Sequence, residues 1–323
     1  MALDLLTLEP QKINKSLEGK FTLLYGNAKV GKTTLASEID KVLIAAFELG
    51  ANALHGVLVS PMKRWQDWKD TVKQLSKNRE ELKNKIGIIA IDTVDEAYKL
   101  CEKYICNREG IQNIKEIPYG GGYKMLDDEF MSGFRDLAYS GYGLFFISHS
   151  TTKTFTDDNG NEYEQIVPAL PNRPYNLINK MVDNIVYLRQ IPIQEGDRIV
   201  QKRYLFFRGD DRFLAGSRLH YIVPRVELSY ENLVNAISNA VEEEIKHKGM
   251  ESDNTSNPYA EITFDELMEE AKSIWIKVNQ IDKQDEAMHI LEEEFGKPTR
   301  FSEILPEQKD KLNRALAEIK TLI

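Results

Sequence analysis

Residues 26–34 read GNAKVGKTT, preceded by the short apolar run KFTLLY at 20–25 and followed by TTLASEID. The nine residues fit G-x-x-x-x-G-K-[ST] at every position, and the flanks supply the strand and helix which that pattern requires. Glycines let backbone N–H groups turn inward around phosphate oxygens. Gly26, Asn27, Ala28, Lys29, Val30, Gly31, Lys32, Thr33 and Thr34 are therefore predicted to form a phosphate cradle. Lys32 is placed for the β/γ-phosphates, Thr33 for Mg²⁺, and the helix start adds a favourable dipole. ATP and Mg²⁺ are the implied ligands. A chance glycine turn is the alternative, and the flanking pattern argues against it.

Outward from the loop, further short apolar runs read as buried strands: VLIAAF at 42–47, IGIIAI at 86–91, GLFFIS at 143–148 and NIVYLR at 184–189. Helix-favouring stretches alternate with them. This predicts an α/β fold with a mainly parallel sheet covered by helices on both faces. RYLFFRG and RLHYIVP read as a terminal antiparallel hairpin. The polar stretch GMESDNTSNP at 249–258 reads as a linker between a core, 1–248, and a C-terminal domain, 259–323. In that domain TFDE at 263–266 is a capping box. It opens a helix with Phe264, Leu267, Ala271, Ile274 and Val278 roughly on one face. A second helix ends near Gly296, and Pro306 suits the first turn of a third that continues to Ile323. No internal repeat is evident.

A chain of 323 residues with 42% apolar and 29% charged residues has the composition of an ordinary globular protein. The net charge is −9; residues 259–323 hold fifteen acidic and nine basic groups, so the first 258 carry only −3. Bulk charge does not announce nucleic-acid binding, which would have to come from local loops. Cys101 and Cys106 are too few for a disulfide framework and have no His or Cys neighbours to make a zinc site. They read as packed thiols. No apolar run reaches membrane-spanning length and MALDLLTLEP lacks a signal pattern, so the expected location is the cytoplasm, with no membrane partner.

Two carboxylates stand at predicted strand ends. Asp92 closes IGIIAI, where a carboxylate facing the loop can hold Mg²⁺ through water; the other reading is a helix cap for DTVDEAYK. Glu48 follows VLIAAF, on the side where parallel strands face their ligand, and can polarise an attacking water; the other reading is a solvated loop glutamate.

The order of phosphate loop, strand ending in Glu48-Leu49-Gly50, IIAIDT and FFISHS resembles RecA-type recombination ATPases, specifically compact phage relatives that assist single-strand annealing. The resemblance covers about residues 15–245. It implies that Glu48 is the catalytic base and that Ser148 and His149 take the place of the polar residue sensing the γ-phosphate. It also implies two DNA-binding loops. One is PYGGGYKM, 118–125, with Tyr119, Tyr123 and Lys124 around three glycines. The other runs from Ser150 to about Lys180, with Lys153, Arg173 and Lys180 as cations diluted by Asp157, Asp158, Glu162 and Glu164. FFRGDDRFLAGSRLHYIVP resembles a late hairpin carrying trans-acting basic residues. Gly216 stands where many members have a lysine, leaving Arg218 to reach a neighbour's γ-phosphate, with Arg208 and Arg212 in reserve. EEEFGKPTRFSEILPEQKDKLNRAL looks like a short helical domain at the ends of several phage recombination proteins, and its acidity favours protein docking.

The resemblance implies an ATPase that binds single-stranded DNA, self-assembles as ring or filament, and recruits a single-strand-binding or replication protein. A hexameric helicase or translocating motor is one rival; an ATP-switched interaction protein with little turnover is another.

Overall fold

The computed structural model describes residues 13–14, 16–50, 54–248, 252–253 and 264–322. The chain divides into two compact units, Lys12–Ala260, and Glu261–Ile323 together with Met1–Gln11. The larger unit begins β1 (Ile13–Asn14), β2 (Phe21–Gly26), α1 (Lys32–Ser37), β3 (Val42–Ala46) and β4 (Leu58–Pro61). It continues through α2 (Trp65–Lys77), α3 (Arg79–Leu82), β5 (Ile88–Asp92), α4 (Val94–Glu109) and α5 (Gly121–Tyr139). Then follow β6 (Gly143–Thr156), β7 (Glu162–Pro168), α6 (Asn172–Met181), β8 (Asn184–Glu195) and β9 (Arg198–Phe206). It closes with β10 (Gly216–Ser217), β11 (Arg225–Glu227), α7 (Tyr230–Lys248) and β12 (Ser252–Asp253). The smaller unit holds α8 (Phe264–Gln280), α9 (Gln284–Phe295) and α10 (Lys309–Lys320).

The main sheet has the order β11-β9-β8-β2-β6-β5-β3-β4, parallel from β8 to β4 and antiparallel at the β9 and β11 edge. The strand bearing the phosphate loop, β2, is separated from β5 by β6. The predicted α/β class with a mainly parallel sheet holds, with the strand, phosphate loop and helix of residues 21–37 inside it and helices following at the C-terminal end. Strand residues alternate between two apolar layers because a strand turns successive side chains to opposite faces. Leu23, Tyr25, Ile89, Ile91 and Phe146 pack with α2, α4 and α5, where Trp65, Trp68, Phe130 and Phe134 are buried. Leu24, Ile44, Ala90, Ile147 and Val186 pack with α1 and α7 on the other face. Cys101 and Cys106 are both buried.

Two sequence expectations fail here. RLHYIVP forms no strand; the antiparallel hairpin is β8 with β9, turning at Gly196. The 150–180 connection is no open loop: β6 continues to Thr156, pairs antiparallel with β7, and is followed by α6. Asp157 fixes the turn by accepting from the backbone N–H groups of Asn159 and Asn161. Similarly, PYGGGYKM becomes a tight turn followed by the first residues of α5. Gly122 is there for close packing, since a Cβ would lie 2.2 Å from the Ile114 carbonyl oxygen.

Of the segment expected as a linker, Ser252 and Asp253 pair in parallel with β1, and the rest lies outside the described residues. Thr263 of the TFDE box lies outside them too. The α8 face behaves as its spacing predicts: Leu267, Ala271, Ile274 and Val278 are buried, with Leu291 and Leu316 from the other two helices. Pro306 opens a 3-10 turn just ahead of α10, which ends at Lys320. Among the described residues no helix is long and apolar enough to cross a membrane.

Candidate functional site

The site gathers at the carboxyl ends of β2, β3, β5 and β6, which parallel pairing brings level. Gly26 stands beside His149, Ala46 beside Asp92, and Asp92 beside Ile147. Between β2 and α1 the loop passes through Gly31 at φ 111°, a left-handed conformation that disfavours a side chain. A Cβ there would also fall 2.8 Å from the Arg203 guanidinium, which lies against the loop from β9. Lys32 is buried, and its Nζ donates to the Gly26 and Asn27 carbonyl oxygens at 2.9 and 2.8 Å. Burial lowers its pKa below the ordinary lysine value, while Asp92, Asp95 and Glu48 oppose that shift.

Thr33 Oγ1 donates to Asp92 Oδ2 at 2.7 Å. Burial raises the pKa of Asp92, opposed by that hydrogen bond. Asp92 thus ends β5 facing the loop, and the adjoining helix is entered through Thr93. The Thr93 hydroxyl does not cap that helix. It donates to Glu48 Oε1 at 2.7 Å, and His149 Nε2 lies 3.1 Å from the same oxygen. An ionised carboxylate only accepts, so Nε2 carries the proton in that pair. Asp95 accepts from Ser148 Oγ at 2.6 Å and from the His149 backbone N–H at 2.8 Å. Burial raises its pKa as well. Ser150 Oγ, the next residue along β6, donates to Asn27 Oδ1 at 2.6 Å.

These groups fit a magnesium–nucleotide. The loop backbone curls around a buried ammonium, and an aliphatic hydroxyl and a carboxylate stand together as hard oxygen donors. Among the described residues no three His, Cys, Asp or Glu side chains form a metal cage. Mg²⁺ suits such a site, because it keeps waters and takes phosphate oxygens alongside one or two protein ligands. Lys32, Thr33 and Asp92 would hold phosphate and metal, and Glu48, half-exposed, faces the same space with its direction fixed by two hydrogen bonds.

Sequence reading thus finds Lys32, Thr33, Glu48, Asp92 and His149, and the structure brings them together. It misses Thr93 as the group orienting Glu48, and it misses how fully Asp95 is committed to Ser148 and His149. Both contacts join residues far apart in sequence, and no local pattern announces them.

Arg218 lies elsewhere. Its guanidinium pairs with Asp183 at 3.1 Å and donates to the Lys180 carbonyl at 2.6 Å. Asp183 in turn accepts from the Phe21 backbone N–H, at the start of β2. The phosphate loop is five residues along that strand, roughly 17 Å away at the rise of an extended chain. Within one protomer Arg218 therefore does not reach the loop. Arg208 donates to the Ser217, Leu219 and His220 carbonyls, so its role is to hold that bend together.

Of the residues proposed from resemblance to contact DNA, several share one surface. The Arg173 guanidinium lies 5.1 Å from the Tyr123 ring centre and is hydrogen-bonded to Asp127. Lys153 Nζ donates to Asn172 Oδ1, next to Arg173. Lys124 is exposed beside Tyr123, and Tyr119 is fully exposed four residues earlier. Lys180 is apart, near the other end of α6 beside Arg218.

Comparison with known proteins adds three findings. The family model described as AAA domain matches residues 18–219. The SPbeta prophage-derived uncharacterized protein YorG of Bacillus subtilis (strain 168) is 30% identical over 333 residues, covering 100% of this chain and 99% of that one. The crystal structure of the KaiC-like protein PH0186 from Pyrococcus horikoshii OT3 overlays on 58% of this chain and 77% of its own, at 12% identity and a TM-score of 0.33.

Proposed function

The chain belongs to the AAA domain family, and from that premise we propose that it is a phage- or prophage-encoded ATPase that binds single-stranded DNA in recombination or strand annealing. The observation that carries this reading is the course of β6. One continuous strand holds Ser148 and His149 at the site, ties Ser150 to the phosphate loop, and then leaves the sheet beside Lys153. A change at the γ-phosphate position has a direct covalent route along β6 to Lys153, whose Nζ meets Asn172 beside Arg173, and Arg173 in turn lies over Tyr123.

In this reading Lys32 binds the β/γ-phosphates and Thr33 and Asp92 hold Mg²⁺, which screens phosphate charge when bound. Glu48 orients a water and accepts its proton, with Thr93 keeping the carboxylate aimed. His149 donates from Nε2 either to Glu48 or to a γ-phosphate oxygen, so it reports whether the γ-phosphate is present. Protomers assemble side by side as ring or filament, with Arg218 completing a neighbour's site. The exposed Arg218–Asp183 pair is worth little within one subunit and is easily exchanged. The acidic C-terminal helices dock a protein partner.

The deciding measurement is ATP turnover with and without single-stranded DNA, beside annealing and forked-duplex unwinding. Stimulated turnover and annealing without unwinding are expected. Unwinding would indicate a helicase. Turnover that is slow and indifferent to DNA would indicate an ATP-switched interaction protein.

A further inference from the structure

Tyr25 immediately precedes Gly26, the glycine on which the phosphate loop leaves β2, and it is fully buried. Its backbone lies between Ser148 of β6 and Tyr187 of β8, and its ring stacks on the Tyr187 ring with centroids 4.9 Å apart. The hydroxyl carries one proton, shared between the Leu214 carbonyl oxygen at 2.5 Å and the Ile166 carbonyl oxygen at 3.0 Å. Burial raises the phenol pKa far above its ordinary value, so the hydroxyl stays a donor.

Neither acceptor belongs to the parallel sheet. Ile166 lies in β7, opposite Thr152 and one place from the pair of Lys153 with Gln165. Leu214 lies in the 209–215 segment, and its N–H donates to the Ile166 carbonyl at 3.0 Å. The Ile166 N–H donates to the Arg212 carbonyl at 2.8 Å. The arm of β6 and β7 is thus laced to this segment, and the Tyr25 hydroxyl fastens both to the strand that carries the phosphate loop. Among the described residues the Leu214 carbonyl has no other donor. The loop end of the connection is equally tight. A Cβ on Gly26 would lie 2.4 Å from the Leu188 carbonyl oxygen, so β2 has no slack against β8 at the root of the loop.

We propose that Tyr25 is a positioning residue that couples occupation of the phosphate loop to the arm, its hydroxyl holding β7 and the 209–215 segment in the arrangement that takes a single strand when nucleotide is bound. It is a second route, beside the course of β6. It rests on the reading that the arm binds single-stranded DNA.

Coupling between two ligands is a ratio of affinities, and it is reciprocal. The test measures affinity for a single-stranded oligonucleotide with and without a non-hydrolysable ATP analogue, and for the analogue with and without the oligonucleotide. In the wild type each ligand should tighten the other by one shared factor. Tyr25→Phe keeps the ring and its stack and removes only the donor. It should bind the analogue alone as the wild type does, and lower the shared factor about fivefold, the scale of one hydrogen bond. An unchanged factor would overturn the proposal. So would weaker binding of the analogue with the factor intact, which would leave Tyr25 a purely structural residue. Amide exchange on the wild type guards against a variant that fails to fold: the analogue should slow exchange at the Ile166 and Leu214 N–H groups, and no change there would also overturn the proposal. A wild type that binds no oligonucleotide in any state would instead remove the reading of the arm, and the coupling with it.

Discussion

Glu48 Oε1 is the acceptor for both Thr93 Oγ1 and His149 Nε2, and the chemistry assigned to Glu48 depends on that fixed aim. Glu48→Gln keeps an oxygen for both donors but cannot accept a proton. It should bind ATP normally and hydrolyse it at least about a hundredfold more slowly, the usual scale for a positioned base; single-turnover rates decide this, and near-normal turnover would remove Glu48 as the base. Lys32→Ala should abolish hydrolysis and weaken nucleotide binding, because the loop's other lysine, Lys29, is exposed and leaves the backbone from a φ of 62°. Wild-type turnover in that variant would refute the assignment. Asp95 makes a pH prediction. Burial raises its pKa above the ordinary aspartate value of 3.8, so the folded protein holds that proton more tightly than the unfolded chain. Its contribution is fully favourable below 3.8 and is lost as pH rises through the higher folded-state value. Asp95→Asn, which can still accept from the His149 N–H, should flatten the decline of stability above about pH 4. Urea unfolding between about pH 4 and 7 measures it, and an unchanged slope would show that other groups set it.

At the scale of elements, the core strands are legible because parallel strands covered on both faces are short and continuously apolar. VLIAAF, IIAID and GLFFIS need no context to be read. The arm formed by β6 and β7 is not legible in that way. STTKTFT and EYEQIVP are mostly polar, so they carry no apolar alternation. Their signal is the Thr, Phe, Tyr, Ile and Val content flanking an Asn-Gly turn, a hairpin pattern. RLHYIVP misleads in the opposite sense. It looks like a strand, yet Leu219 and Ile222 are buried at a bend secured by Arg208. The polar contacts of the site are least legible of all, since Glu48 meets residues 45 and 101 positions away. The arm carries its own prediction. Replacing Lys153 and Arg173 together with Gln should weaken single-strand binding. It should also make log affinity less steep in log salt by about 1.4, roughly 0.7 for each cation taken away from a single-strand phosphate. ATP turnover without DNA should not change. A salt slope equal to that of the wild type would place the DNA elsewhere.

For the whole molecule, the C-terminal helices enclose an apolar cluster of their own, separate from the two layers of the larger unit. A chain ending at Ala260 should therefore fold, bind ATP and keep most single-strand affinity while no longer docking a protein partner; tight DNA binding by residues 261–323 alone at physiological salt would contradict this. Assembly is tested by mixing. Arg218→Ala should fold and bind ATP yet show little DNA-stimulated hydrolysis. Combined with Glu48→Gln it should regain activity that neither has alone, because one interface then pairs an intact Arg218 with an intact Glu48. Absence of rescue in mixtures shown to co-assemble would leave Arg218 as the surface partner of Asp183. The length of β6 has a last consequence, for the way the molecule breathes. From Gly143 to Ser148 the strand is buried in the sheet beside β2 and β5, whereas from Thr151 to Thr156 its backbone pairs with β7 alone and is largely open to water. Local opening is least costly where few apolar contacts resist it. Amide deuterium uptake should therefore climb steeply along this single strand, slow as global unfolding at Phe146 and fast at Thr154, with the step falling at His149 and Ser150.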